Sequence, residues 1–227
     1  FWGFKEVTKE LTELTGLPSK AGNDANVAAL GEMWKGGGQG AKNLILVTLG
    51  TGVGGGIIVN EKIVTGAHGA GGEIGHAFVN PAETKACNCG NKGCLEQYAS
   101  ATGIARLAKE ALESETEDSV LRTVKNISAK SVFDAYKEGD VLAGKIVDKF
   151  AAYLGNALAV FACVSDPDVF VIGGGVSKAG QVLIDAVEKY YKAHAFTASK
   201  ETPIKLATLG NDAGIYGAAK LILSKDN

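Results

Sequence analysis

Residues 44–60 read LILVTLGTGVGGGIIVN: an apolar run, a glycine turn and a second β-branched run. Leu44 to Leu49 is short, apolar and bounded by a turn, which predicts a buried strand, and Ile57 to Asn60 predicts the next one. Gly50, Gly52 and Gly55 satisfy GxGxxG, but the dinucleotide fold needs a helix next, because that helix's N-terminus holds the pyrophosphate. The residues that follow are strand formers, so the dinucleotide reading fails on context. A protein-kinase glycine loop would come with HRD and DFG sequences, and neither occurs. What remains is a strand, a glycine turn over Gly50 to Gly56, and a strand. Such a turn sets backbone N–H groups in a concave row suited to phosphate oxygens, with Thr51 adding a hydroxyl donor. The same glycines also suit a structural hairpin that needs positive φ.

Upstream, Asn23 or Asp24 caps a helix from about Ala25 to Lys35, and Gly36-Gly37-Gly38 breaks it. Gly36 to Lys42 is a poor Walker loop, since Lys42 follows Ala41 and Asn43 stands where Ser or Thr belongs. Phe4, Val7, Leu11 and Leu14 recur at helical spacing until Gly16 and Pro18. Downstream, residues 66–96 carry glycine, histidine and cysteine with little periodicity, the mark of a long functional loop. Helical patterns follow at about 101–113, 118–126 and 129–138. A long one runs from Val141 to Val164, capped by Asp140 and ended by Asp166-Pro167. Val169 to Ile172 is a strand, and Gly173-Gly174-Gly175 turns the chain toward a helix from Lys178 to His194. That turn lies at a strand's carboxyl end, where open α/β sheets bind ligands. A strand at 203–207 and a helix at 213–224 complete an α/β fold.

Composition narrows the function. Of 227 residues 46% are hydrophobic and 21% charged, which excludes a disordered chain. The net charge of −2 leaves no basic field for nucleic acid or anionic lipid, so neither is expected as a partner. The longest unbroken apolar run, Ala157 to Val164, is far short of the ~20 residues of a membrane span. Glycine, 31 residues, is about twice its usual share, which points to backbone in close approach to a ligand. The chain opens Phe1-Trp2-Gly3-Phe4, with no signal-peptide pattern, and its only methionine is Met33, so the translated start is expected to lie outside it.

Cys87 to Cys94 is CxCGxxGC, and His76 lies eleven positions before Cys87. Three thiolates and one imidazole suit tetrahedral zinc, closed to water and therefore structural. Three free thiols, or a redox pair, are the alternatives. A chain of this size has no need of disulfides, so a reduced, cytoplasmic compartment is expected. Cys163, inside the apolar run, reads as a small core residue.

Together, Asn23-Asp24-Ala25-Asn26, LGTGVGGG at 49–56, GGEIGH at 71–76, CxCGxxGCxE at 87–96 and GNDAG at 210–214 form an ordered series. It resembles the ROK family (repressors, open reading frames and sugar kinases), and within it the bacterial ATP-dependent glucokinases. The resemblance covers nearly the whole chain. It implies an actin-like, ribonuclease H-like two-lobed fold with sugar and ATP in the cleft. Residues 1–42 would be the remainder of the N-terminal lobe, 43–210 the large lobe, and 211–227 a closing helix.

By matched motif, the resemblance makes Asp24 the catalytic base and Asn23, Glu73, His76 and Glu96 sugar contacts. It makes His76, Cys87, Cys89 and Cys94 the zinc ligands. Thr51 and Gly52 would face the ATP phosphates and Gly174 and Gly175 the adenosine. It also implies Mg²⁺ with ATP, glucose or a related hexose as substrate, and a homo-oligomer, dimer or tetramer. Taken alone, Asp24 could equally be a helix cap. His68 and His194 read as a loop and a helix-end residue.

Family kinases begin with a DxGGTxxK-type phosphate loop, and this chain has none. The expectation is that the first quarter to third of a family member is absent, and that the chain alone is inactive as a kinase. Kinases for other hexoses or N-acetylhexosamines, and a sugar-sensing repressor with an added helix-turn-helix, are the rival readings. The intact LGTGVGGG and GGG turns favour an ATP user.

Overall fold

β1 (Leu44–Leu49) and β2 (Val53–Val59) pair antiparallel with Leu49 opposite Val53. The turn is therefore only Gly50 to Gly52, and Gly54, Gly55 and Gly56 belong to a strand rather than to the longer turn expected. Packing is the reason. A Cβ on Gly56 would stand 2.6 Å from Ala29 Cβ and 2.7 Å from the Ala25 carbonyl oxygen, so glycine lets a helix lie directly on the strand. That helix is α2 (Asp24–Lys35), and Asn23 is its cap, accepting from the backbone N–H of Ala25 and Asn26. The cap leaves Asp24 as the first helical residue.

The computed structural model describes residues 5–224. Phe4, the first of the N-terminal apolar series, lies outside them. α1 (Val7–Thr15) forms where expected, yet Val7, Leu11 and Leu14 are all exposed.

A short β3 (Lys62–Ile63), β4 (Val169–Gly173) and β5 (Ile204–Leu206) complete a five-stranded sheet of order β3-β2-β1-β4-β5. The β1–β4 and β4–β5 pairs are parallel. Both faces are buried, as parallel strands require. Leu44, Leu46, Ile58, Val169 and Val171 pack on Ala29, Leu30 and Met33 of α2. The alternate residues, Ile45, Val47, Leu49, Phe170 and Ile172, face the larger core.

That core is built by α3 (Glu96–Ala99), α4 (Ala101–Ser114), α5 (Ala129–Lys137), α6 (Val141–Ser165) and α7 (Gln181–His194). α8 (Ala213–Leu223) returns to α2, with Gly31 against the Ala213 carbonyl and Gly217 against that of Val27. The 25-residue α6 is long and apolar enough to cross a membrane, but it is the central core helix, burying Leu142, Ile146, Phe150, Leu154 and Leu158. Its outer face carries Cys163, which is exposed rather than in the core as expected.

Two other expectations change. Residues 118–126 form only a 3-10 turn, Val120–Thr123, with Ser119 as its cap and the Val120 N–H donated to Asp140 at 2.8 Å. α7 starts at Gln181, not Lys178, because left-handed Gly180 (φ 83°) separates it from a 3-10 turn over Gly175–Ala179.

Glu32, near the end of α2, is 1% exposed. Its carboxylate accepts from the backbone N–H of Gly37 (2.7 Å), Thr208 (3.1 Å) and Leu209 (2.9 Å). One buried anion thus ties α2 to the connection between β5 and α8.

Candidate active site

A cleft of about 500 Å³ opens where three segments meet. Asp24 and Ala25 come from the N-terminus of α2, Gly50, Gly52 and Val53 from the β1–β2 turn, and Gly174 from the end of β4. Glu96 of α3 and the segment Gly210 to Gly214 before α8 close its rim. Chain distance hides this convergence, because Asp24 and Asn211 meet only through the sheet order and the α2–α8 packing. Within the cap, Asn23 Oδ1 is engaged by Ala25 N–H at 3.0 Å and Asn26 N–H at 3.2 Å. Asp24 Oδ1 also accepts from Ala25 N–H, at 2.8 Å. The side chain of Asp24 is otherwise open to the cleft.

The glycine turn is locked from below. The Gly50 carbonyl accepts from Ala101 N–H at 2.8 Å, and the Thr51 carbonyl accepts from the Thr102 hydroxyl at 2.6 Å. Gly52 lets Glu96 lie close against the turn, since a Cβ there would stand 2.5 Å from Glu96 Oε2 and displace that carboxylate. Neither Gly50 nor Gly52 has positive φ, so chain reversal is not what demands them. Gly175 borders a second, more apolar cavity of about 340 Å³ with Val176, Ala179, Ala129 and Phe133.

The segment read as an aperiodic loop is more ordered than its sequence suggests. Phe78 pairs with Cys94 and Ala86 with Lys92 in isolated antiparallel bridges, and Ile74–His76 forms a 3-10 turn. This folding gathers His76, Cys87, Cys89 and Cys94, whose ligand atoms all lie within 4.8 Å of one another. Cys89 and Cys94 sulfurs are 3.7 Å apart, and Cys87 Sγ is 3.8 Å from His76 Nδ1. A tetrahedral ion with metal–sulfur bonds of about 2.3 Å sets edges of about 3.8 Å, so the donor set fits such a metal. As thiols the three differ. Burial and the bond to Glu96 push Cys87 up to about 12, burial also raises Cys94, and the Asn91 backbone N–H lowers exposed Cys89.

Glu96 joins this cluster to the glycine turn. Its Oε1 accepts from Cys87 Sγ at 3.0 Å and lies 3.9 Å from His76 Nδ1, while Oε2 faces the Val53 N–H at 3.4 Å. His76 turns Nε2 the other way, 4.0 Å from Glu73 Oε2. Glu73 is more than half exposed and does not border the Asp24 cleft, whereas Glu96 is mostly buried.

Two features escaped sequence reading. Asn26 is buried, and its Oδ1 has no hydrogen-bond partner while pointing toward Gly72. Glu83, Tyr98 and Arg106 form a polar cluster under the cysteine loop. Burial works to raise the Glu83 carboxyl, but hydrogen bonds from Tyr98, the Lys85 backbone and Arg106 outweigh it and hold the group at about 2. Spacing along the chain gives no sign of either.

The ROK family profile matches residues 1–225. A glucokinase of Halalkalibacterium halodurans is 46% identical over 230 residues, spanning 100% of this chain and 70% of that protein. A crystal structure of a ROK family glucokinase from Streptomyces griseus, in complex with glucose and AMPPNP, is 36% identical and superposes with a TM-score of 0.81. That superposition covers 96% of this chain and 72% of the other. A ROK family transcriptional regulator, a homolog of the E. coli MLC protein, superposes at 0.83 with 30% identity, covering 96% of this chain and 55% of that one.

Proposed function

The chain belongs to the ROK family, and from that premise we propose that it serves ATP-dependent phosphorylation of glucose at the 6-hydroxyl. The observation that carries the reading is the convergence of Asp24, the Gly50–Gly52 turn, Glu96 and Gly174 on one cleft. Phosphoryl transfer needs little covalent help from the protein; it needs positioning and charge stabilisation. Asp24, at a helix N-terminus that favours negative charge, accepts the proton of the sugar hydroxyl as the phosphoryl group is transferred. Asn23 has its Oδ1 committed to the cap, which leaves its Nδ2 to donate to the sugar. Glu96 and Glu73, on either side of His76, accept from sugar hydroxyls.

Thr51 and Gly52 present their N–H groups and the Thr51 hydroxyl to the ATP phosphates, with Mg²⁺ balancing their charge. Gly174 and Gly175 receive the adenosine beside the apolar cavity bordered by Val176 and Phe133. His76, Cys87, Cys89 and Cys94 would hold a structural Zn²⁺, which supplies a cross-link that fixes Glu96 and His76 for the sugar. Because zinc binds thiolates, it would hold all three cysteines deprotonated, including Cys87, whose thiol is otherwise the most reluctant to ionise.

Coupled ADP release tests the reading, with glucose, mannose, fructose and N-acetylglucosamine compared in a polypeptide carrying this chain and a DxGGTxxK-type loop. We expect the highest kcat/KM with glucose, and no turnover from the 227 residues alone. Highest kcat/KM with an N-acetylhexosamine would reassign the substrate. No turnover with any sugar, joined to sugar-dependent DNA binding, would make the protein a repressor.

A further inference from the structure

The three cysteines sit on one closed loop, Glu83 to Gln97, and a single guanidinium holds both of its ends. Arg106 of α4 donates from Nη1 to Glu83 Oε2 at 2.9 Å and from Nη2 to the Gln97 carbonyl at 2.9 Å. Each contact reaches further into the loop. Glu83 Oε1 takes the backbone N–H groups of Thr84 (3.0 Å) and Lys85 (2.9 Å), fixing the entry. Gln97 uses its side chain in both directions, accepting from Cys94 N–H at 3.0 Å and donating to the Lys85 carbonyl at 3.0 Å.

Tyr98 completes the base. Its hydroxyl donates to Glu83 Oε2 at 2.6 Å, and Arg106 lies over its ring at 5.0 Å. Arg106 and Glu83 are 23% and 7% exposed at their side chains, so these are shielded, charge-assisted bonds rather than surface pairs.

The geometry points to Arg106 as a positioning residue for the metal site. Without touching a ligand, it closes the base of the cysteine loop, so that Cys87, Cys89 and Cys94 stay gathered and zinc is retained. A loop open at its base can lose thiolates one at a time, each loss lowering the barrier to the next. Closed at both ends, it must release the metal from all four ligands without help from backbone motion. Groups beyond the ligands that orient them are worth about 10–100-fold in metal affinity. This inference rests on the zinc reading above.

Transfer of zinc from the loaded 227-residue chain to excess 4-(2-pyridylazo)resorcinol measures the release rate, with circular dichroism checking the fold. R106Q removes the fork and should release zinc about 10–100-fold faster. R106K, which can serve one end of the loop but not both, should fall between R106Q and wild type. E83Q should resemble R106Q, and the double variant should be little worse than either, because both act on one closure. R122Q removes an arginine that binds carbonyls of residues 112, 115 and 117, away from the loop, and should leave release unchanged. A general loss of packing would instead speed release in R122Q as well, which would contradict the assignment. Should R106Q fail to fold, R106K and Gln97→Met carry the test. Folded Arg106 variants that release zinc at the wild-type rate overturn the proposal alone. A wild-type chain that takes up no zinc overturns the zinc reading and this proposal with it.

Discussion

Replacing Glu32 perturbs the tie between the helix that carries Asp24 and the segment that faces Asp24 across the cleft. Its carboxylate is buried and accepts three backbone N–H groups, two of them at Thr208 and Leu209, just before Gly210. Hydrogen bonds to a charged acceptor contribute about 1.5–3 kcal/mol each, offset by the cost of burying the charge. Glu32→Gln can place its single carbonyl where Oε2 accepts from Gly37 and Thr208. Its amide then opposes the Leu209 N–H, which loses a partner. The expected loss is about 2 kcal/mol. Glu32→Ala orphans all three donors, and a loss of about 3–5 kcal/mol is expected, the scale of breaking a buried charged network. Urea denaturation of the 227-residue chain reads both, as a lower midpoint at unchanged slope. A Glu32→Gln midpoint shift equivalent to less than about 0.5 kcal/mol would overturn this role for Glu32. It would mean that water or backbone adjustment satisfies those N–H groups without the carboxylate.

Cys94→Ser should lower bound zinc from about one equivalent to little or none, with reduced stability, by elemental analysis and thermal unfolding. A folded, sugar-binding protein without metal would contradict the closed His76–Cys87–Cys89–Cys94 site. Glu83 predicts an acid-sensitive stability. Its folded value of about 2 lies below the ordinary 4.5, so its contribution is complete above pH 4.5 and lost as the pH falls toward 2. The contribution is of order 3 kcal/mol. Glu83→Gln should flatten that part of the stability–pH curve, and an unchanged slope between pH 4.5 and 2 would count against it.

Much of the fold could be read from residues 44–60, because an apolar run before glycine and a β-branched run after it leave few alternatives to a hairpin. The extent of that turn could not. Gly54 to Gly56 look like turn residues in sequence, and only the presence of α2 against β2 explains glycine inside a strand. The short turn at 118–126 has a related origin: Asp140, about twenty positions on, holds the Ser119 hydroxyl and the Val120 N–H at the start of a 3-10 turn, a contact that chain spacing does not show. The cysteine cluster was legible because ligand type and spacing encode it directly. Arg106, Glu83 and Glu32 were not, because a charged residue in a helix or loop looks solvated until its long-range partners are known. Asn26 sits in a recognisable motif, yet the orphaned state of its Oδ1 depends on Gly72, brought near by the fold.

Asp24 carries the proposed chemistry, and one substitution separates proton acceptance from a structural place at the start of α2. Asp24→Asn keeps the size of the side chain, and the cap itself belongs to Asn23, so folding should change little. Asparagine cannot take the hydroxyl proton, and a positioned general base is worth about 10²–10⁴ in rate. Steady-state kinetics with ATP and glucose, in the polypeptide that turns over, should show kcat lower by that factor. Calorimetry should show glucose affinity largely retained. A near-normal kcat would contradict that role, leaving Asp24 a helix-end residue and the base elsewhere. Loss of glucose binding altogether would contradict it differently, by making Asp24 chiefly a sugar ligand.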